Sequence, residues 1–473
     1  MSHIVPLVLC GGSGSRLWPV SRTDSPKHFH AVKGSNSLSF LQETVQRHAG
    51  GRMRDPILVT NARHAHYVRA QLDEIQVRGE IIGEPVARNT GPAVLAAAFR
   101  ALERDPDAVL LVLPSDHVIE GDVNSTVHAM YDAAEDGRII TFGVRPHYPE
   151  TGYGYITDGG PIDGYDGLHH VGEFVEKPPL DRAQALLDGG RAYWASGISM
   201  FRADTIVEEY RRLDPISLMA VHHALAHRSL DGNGLMLERG AFEKAESLPT
   251  EVAVFEKSGA IALAPLQVSW NDVGSWEAMY GIGTPDAQGN VISGDVISVA
   301  TRNSLVRSQD RLVAVIGLEN VVVVDTSDAL LVASRSEAQK VKQAVQALNL
   351  SDRQEAHSHP THRFSWGESH RAFSTDSCDV THLTINAGAA LTIDGSCGPM
   401  HLIGVRGDLA VSGDSAAREP LSKGLRLSLA EGRDFRVENL GTTRGEVVLV
   451  SNTHMVELPV AKSGAELRDE LRA

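Results

Sequence analysis

The segment Ile4-Val-Pro-Leu-Val-Leu-Cys10 runs straight into Gly11-Gly-Ser-Gly-Ser-Arg-Leu17, and that junction decides the architecture. The first half is apolar on consecutive positions, the pattern of a strand covered on both faces. The glycines that follow permit a tight turn whose N–H groups converge at a helix start, an anion cradle. Spacing excludes two familiar cradles: it is not G-x-x-x-x-G-K-[ST], and Leu17 stands where G-x-G-x-x-G needs its third glycine. Arg16, Arg22 and Lys27 come next. Planar guanidinium forks and a point charge together suit a triphosphate with a second phosphate beside it.

Outward from the loop, strand-like runs at 56–60, 108–113 and 139–142 alternate with helical patterns at 39–48, 62–75 and 91–103. This alternation predicts an α/β domain over 1–283, a mostly parallel sheet wrapped by helices. Beyond Thr284-Pro-Asp-Ala-Gln-Gly289 the chain breaks into valine-rich rungs at 290–292, 295–300, 304–307, 312–316, 321–324 and 329–333. Their even spacing predicts a compact β-module, a short coil of stacked rungs over 284–349, closed by a helix at 336–348. A polar, histidine-rich linker at 350–362 leads to a second β-rich section, 363–473, with sandwich or barrel punctuation.

The 473 residues carry 44 Lys+Arg against 60 Asp+Glu, a net charge of −16 that argues against a nucleic-acid partner. Cys10, Cys378 and Cys397 form no C-x-x-C pair and no disulfide framework, which points to a reducing cytoplasm. Ile4–Cys10 lacks a basic leader and is too short for a membrane span, so neither secretion nor membrane association is expected.

Gly11-Gly-Ser-Gly-Ser-Arg-Leu-Trp-Pro-Val-Ser-Arg22 with Pro26-Lys27 resembles the signature of sugar-phosphate nucleotidylyltransferases, specifically the mannose-1-phosphate guanylyltransferases. The resemblance continues through Glu84-Pro-Val-Ala-Arg-Asn-Thr90, Leu113-Pro-Ser-Asp-His117, Thr151-Gly-Tyr-Gly-Tyr-Ile156, Phe174-Val-Glu-Lys-Pro178, Trp194-Ala-Ser-Gly197 and Trp270-Asn-Asp-Val-Gly-Ser-Trp276. It implies a Rossmann-like nucleotidyltransferase domain, then a β-helix-like module and a cupin-like barrel, as in the long bacterial form. The activity implied is transfer of GMP from GTP to α-D-mannose 1-phosphate, with Mg²⁺ as cofactor; the valine-rich rungs separately suggest a β-mediated homodimer. Two alternatives stay open: a guanylyltransferase for another hexose or pseudo-sugar 1-phosphate, and an inactive regulatory subunit that binds nucleotide sugars.

Within that resemblance each block acquires a task. Asp116, at a strand end, and Asp272 are the expected metal ligands, hard oxygens in the small number that Mg²⁺ accepts beside phosphate. Gly11, Gly12, Gly14, Ser15, Arg16, Glu84, Asn89, Thr90, Ser115 and Asp116 are expected around the nucleotide. Glu84 is the specificity candidate, because one carboxylate can accept both the N1–H and the 2-amino group of guanine, a donor pair adenine lacks. Arg22, Lys27, Tyr153, Gly154, Glu176, Lys177, Ser196 and Gly197 are expected around the sugar phosphate. Arg16, Lys27, Asp116, Lys177 and Asp272 form the catalytic set. The family usually has Asn where this chain has Ala195, so an amide that would hydrogen-bond the sugar or its phosphate is missing. In the tail, Asp394-Gly-Ser-Cys-Gly-Pro-Met400 stands where a cupin's metal ligands belong and only His401 remains, so that barrel is expected to be degenerate.

Overall fold

In the computed structural model, residues 3–451 are described apart from 13, 32–36, 365, 376, 396–398, 414–417 and 430–431. Ser13 of the glycine loop, Cys397 and the end of the last β-rich section therefore lie outside the described residues. The chain divides into two compact units, Met1–His357 and Ser358–Ala473.

The first unit is built on strands β1 (Ile4–Cys10), β2 (Ile57–Asn61), β3 (Glu80–Glu84), β4 (Val109–Pro114), β5 (Val118–Glu120), β6 (Ile139–Val144) and β7 (Gly154–Pro161). They continue as β8 (His169–Glu176), β9 (Ala192–Arg202), β10 (Ser229–Asp231), β11 (Gly234–Met236), β12 (Ile261–Leu266) and β13 (Ser269–Asn271). Eleven of them form one sheet in the order β10-β11-β3-β2-β1-β4-β9-β6-β12-β8-β7. From β11 to β4 neighbours run parallel, as the sequence predicts. Beyond β4 the expectation of a mostly parallel sheet needs correction. β9 enters antiparallel between β4 and β6, and β8 and β7 pair antiparallel, so the sheet is mixed.

Both faces are covered. Along β1, Ile4, Val8 and Cys10 belong to one apolar cluster while Val5 and Leu7 belong to the other, which explains the unbroken apolar run. The alanine-rich helix Thr90–Leu102 lies on the second face, its small side chains bringing it close to the strands. Register places Cys10 beside Thr60, Thr60 beside Gly83 and Leu9 beside Pro114. The segments after β1, β3 and β4 therefore emerge from one edge, where open α/β sheets bind ligands.

All six rungs are present, as Val291–Ser293, Val296–Val299, Leu305–Arg307, Val313–Ile316, Val321–Asp325 and Leu330–Ser334. They stack mainly in parallel, and a 3-10 turn, Arg335–Lys340, leads into the closing helix Val341–Leu350. This module shares a core with the glycine loop: Leu17, Trp18, Val273 and Trp276 cluster with Leu305, Val322, Val324, Val341 and Val345. That common core is why the module and the α/β domain fall into one compact unit. The second unit pairs a six-stranded with a four-stranded antiparallel sheet around Trp366, Leu383, Leu402, Val437 and Leu449. Among the described residues no helix is long and apolar enough to cross a membrane.

Candidate active site

The glycine loop leaves β1 with Gly12 at φ 87 and Gly14 at φ 58. A Cβ on Gly14 would stand 2.6 Å from the Lys27 Cβ, so only glycine lets the loop pass over the lysine. Ser15–Leu17 form a 3-10 turn, and Ser21 Oγ donates to the Gly14 carbonyl at 2.6 Å.

Two aspartates meet below the loop. Asp116 follows β4, while Asp272 follows β13, whose antiparallel pairing with β5 sets Asn271 beside Val118. Asn271 Oδ1 accepts from Val273 N at 2.7 Å and Asp272 Oδ1 from Gly274 N at 3.1 Å, a pair of Asx turns that holds Val273 at φ 49. Lys27, itself buried, donates to Asp116 Oδ2 at 3.1 Å and to the main-chain carbonyl of Asp272. Burial alone would raise the Asp116 carboxyl, but Lys27 and the flanking His117 and His28 outweigh it and hold it below the usual range. Trp270 Nε1 donates to His117 Nδ1 at 3.2 Å, leaving the proton on Nε2, which faces Asp116 at 3.7 Å. A cavity of about 270 Å³ results, lined by Gly14, Ser15, Arg16, Lys27, Asp116, His117, Asp272 and Lys342 among others.

Across an aromatic wall lies the expected sugar side. Tyr153 packs against Trp194 and Trp270 with ring centroids at 5.3 and 5.1 Å, and its hydroxyl donates to Asp272 Oδ1 at 2.7 Å. Gly154 pairs directly with Glu176. A Cβ on Gly154 would lie 2.8 Å from Glu176 Oε2 and 3.5 Å from the Ala195 Cβ, so the three residues share one small space. Lys177 sits at φ 45 and its ammonium reaches Glu176 Oε1 at 2.6 Å, both side chains being exposed.

Glu84 ends β3, two strands from the glycine loop and thus roughly 10 Å across the sheet edge. Its Oε1 is buried with no hydrogen-bond partner among the described residues, and burial pushes its carboxyl up to about 8. A buried acceptor left empty is costly unless a ligand supplies the donor.

Other expectations meet different surroundings. Arg22, expected at the sugar phosphate, is fully buried. Its guanidinium grips Asp328 of the β-module at 3.0 and 3.1 Å and donates to the Pro19 carbonyl. It ties the loop's exit to the module because desolvation leaves it no better partner than that carboxylate. Ser196 is also buried, and its hydroxyl donates to the Phe142 carbonyl at 2.6 Å, which braces β9. Ser115 is buried against Cys10. Asn89 Nδ2 holds the Ser247 carbonyl at 3.0 Å and Thr90 Oγ1 accepts from Thr250 N at 3.1 Å, so both pin the loop beside the helix start. Gly197, at φ 74, lets β9 pass Pro114, whose Cγ would lie 2.9 Å from a Cβ. Sequence reasoning missed His117, the aromatic wall and Lys342. A tryptophan in each of the 194 and 270 blocks was the available signal for the wall, whereas nothing local marks Lys342.

A glycine cradle, two convergent carboxylates and a buried lysine at the edge of an α/β sheet suit an enzyme that handles nucleotide phosphates. Residues 5–289 match the nucleotidyl transferase family, and residues 294–348 match the MannoseP isomerase/GMP-like beta-helix domain. The xanthan biosynthesis protein XanB of Xanthomonas campestris is 40% identical over 396 residues, 83% of each chain. Mannose-1-phosphate guanylyltransferase 2 of Escherichia coli O157:H7 is 37% identical over 400 residues, 82% of this chain and 83% of that one. A crystal structure from Thermus thermophilus, described as a mannose-1-phosphate geranyltransferase, superposes with a TM-score of 0.64 at 30% identity, covering 73% of this chain and 99% of that chain. The chain belongs to the nucleotidyl transferase family, among the mannose-1-phosphate guanylyltransferases.

Proposed function

We propose that this enzyme transfers the guanylyl group of GTP to α-D-mannose 1-phosphate, giving GDP-mannose and pyrophosphate. The observation that carries this reading is the convergence of the Gly14 loop, Lys27, Asp116 and Asp272 on one cavity. An oxygen of the sugar phosphate attacks the α-phosphorus, the bond to the bridging β-oxygen breaks, and its electron pair leaves with pyrophosphate. The attacking oxygen is already anionic, so no general base is needed and positioning with charge neutralisation does the work.

The loop N–H groups and Arg16 hold the triphosphate, Lys27 neutralises charge at the α-phosphate, and Glu176 and Lys177 receive the sugar hydroxyls and its phosphate. Tyr153 and Gly154 shape the sugar side. Glu84 reads guanine, its unpartnered oxygen awaiting the N1–H and 2-amino donors.

Asp116 and Asp272 fit a divalent cation, which we take to be Mg²⁺: they are two hard carboxylates facing one cavity, with room left for phosphate oxygens. When bound, that ion supplies Lewis-acid polarisation of phosphoryl oxygens. We also propose a cytoplasmic homodimer. Ile297, Val299 and Ile316 lie exposed, and Val299 pairs with Ile316, which gives two adjacent rungs an apolar outer face.

Pyrophosphate release with Mg²⁺ across GTP, ATP, UTP and dTTP against several hexose 1-phosphates, with Asp116→Ala as control, tests the reading. Turnover with GTP and mannose 1-phosphate, lost in the variant, is expected. Turnover with GTP but another sugar would make Ala195 a specificity change, since its methyl stands where an amide would face Gly154 and Glu176. Binding of GDP-sugar without turnover would leave a regulatory subunit.

A further inference from the structure

The helix Val341–Leu350 closes the β-module, yet its first turn lies against the phosphate loop. Val341 and Val345 enter the same apolar cluster as Leu17 and Trp18, so packing within the module also presses this helix onto the turn Ser15–Leu17. Lys342 follows Val341 and is exposed, while Val341 is buried. Its side chain lines the cavity with Gly14, Ser15, Arg16, Lys27, Asp116 and Asp272. It also lines an adjoining cavity of about 230 Å³ beside Ser15 and Ser21. Among the described residues the Lys342 ammonium has no hydrogen bond or ion pair. Lys27, the other lysine of the cavity, is by contrast engaged with Asp116 and Asp272.

An exposed lysine on a helix is ordinarily just solvated. Here, however, it overhangs a glycine loop and two carboxylates as an unpaired cation, carried by a helix that the core holds in place.

We propose that Lys342 binds the terminal phosphates of the nucleotide and then the pyrophosphate formed from them, so that the β-module contributes a substrate contact to the active site. The proposal rests on the guanylyltransferase reading. Its neighbours select the terminal phosphates: Lys342 sits by the loop turn, whereas Gly154, Glu176, Lys177 and Ala195 of the sugar side line neither cavity. As the bond to the α-phosphorus breaks, negative charge builds on the departing pyrophosphate, and an ammonium there stabilises it. Lysine serves phosphate as a point charge without demanding bidentate geometry.

The test uses full-length Lys342→Met and Lys342→Arg. Pyrophosphate binding is measured by calorimetry with Mg²⁺ present, and KM values are measured for GTP and for mannose 1-phosphate. Lys342→Met is expected to weaken pyrophosphate binding and raise the GTP KM by about ten-fold or more, the scale of one charge-assisted hydrogen bond. The sugar-phosphate KM stays within about two-fold, and Lys342→Arg recovers most of the loss because it restores the charge. Pyrophosphate binding unchanged in Lys342→Met overturns the proposal. A loss that falls equally on the sugar phosphate, or that follows a lowered melting temperature and is not recovered by arginine, overturns it too. Should wild-type protein turn over no GTP, the functional reading fails by itself, and the calorimetric comparison still decides whether Lys342 holds pyrophosphate.

Discussion

Lys27 Nζ stands 3.1 Å from Asp116 Oδ2 and also donates to the main-chain carbonyl of Asp272, so one buried ammonium joins the ends of β4 and β13. Neither aspartate needs to find the other during turnover, because the lysine already sets them around one cavity.

Lys27→Met removes this joint and leaves the Asp116 carboxylate without its main counter-charge. Activity falls by at least about a hundred-fold if Lys27 also neutralises phosphate charge. The Asp116 carboxyl rises once burial is no longer outweighed, so whatever residual activity remains moves its acid limb to higher pH. A pH–rate profile of wild type and variant reads both effects.

With Glu84 as the proposed reader of guanine, nucleotide binding is expected to depend on pH. Burial lifts its carboxyl from 4.5 to about 8, so the free protein at neutral pH holds it largely protonated. Guanine needs the carboxylate as acceptor, hence the GTP KM is expected to fall as pH rises through about 8. Stability has the opposite sign: a raised folded value means the group's contribution is fully present below 4.5 and is lost as pH rises through about 8. Glu84→Gln is expected to abolish the pH dependence of GTP binding and to reduce the preference for GTP over ATP by at least about ten-fold. Equilibrium titration of both nucleotides between pH 6 and 9 measures it.

Gly154 leaves room that an added methyl would take from Glu176, with a Cβ only 2.8 Å from Oε2. Gly154→Ala is expected to raise the sugar-phosphate KM several-fold and leave the GTP KM near its wild-type value, since Gly154 crowds Glu176 and Ala195 and lines neither cavity beside the glycine loop. Steady-state kinetics with each substrate varied in turn separates the two.

Arg22→Met breaks a buried ion pair and takes the guanidinium from Asp328, whose side chain is only 17% exposed. A loss of about 3 kcal/mol is expected in denaturant unfolding of the first unit, the scale for removing one partner of a buried pair. The sugar-phosphate KM of the folded fraction stays unchanged, contrary to the role its sequence position suggests.

Val299→Asp with Ile316→Asp places two charges on the apolar face of paired rungs. If that face joins two copies, light scattering is expected to register a dimer for wild type and a monomer for the double variant.

Much of the fold was legible because its signals are local. The unbroken apolar run of β1, the glycine loop and the six rungs each follow from side-chain pattern within about ten residues, and each appears where the pattern put it. The antiparallel entry of β9 was not legible. Its apolar run looks the same in either direction, and only the neighbours on both sides set which way it pairs.

The site divided along the same line. Gly14, Lys27, Asp116 and Asp272 belong to recognisable blocks and do converge on one cavity. Arg22 belongs to such a block as well, yet its partner lies 306 positions away and its burial decides its role. Lys342 belongs to no block at all. It reaches the cavity only because Leu17, Trp18, Val341 and Val345 pack together.

By itself the sequence determined the class of the domain, the position of the glycine loop and the carboxylates available to it, since these depend on residue type and short-range spacing. The tertiary structure alone decided which cations reach the cavity, which serine and arginine are consumed in bracing the fold, and that the β-module shares a core with the catalytic domain. Burial and long-range packing settle those points, and neither is encoded in any one stretch of chain.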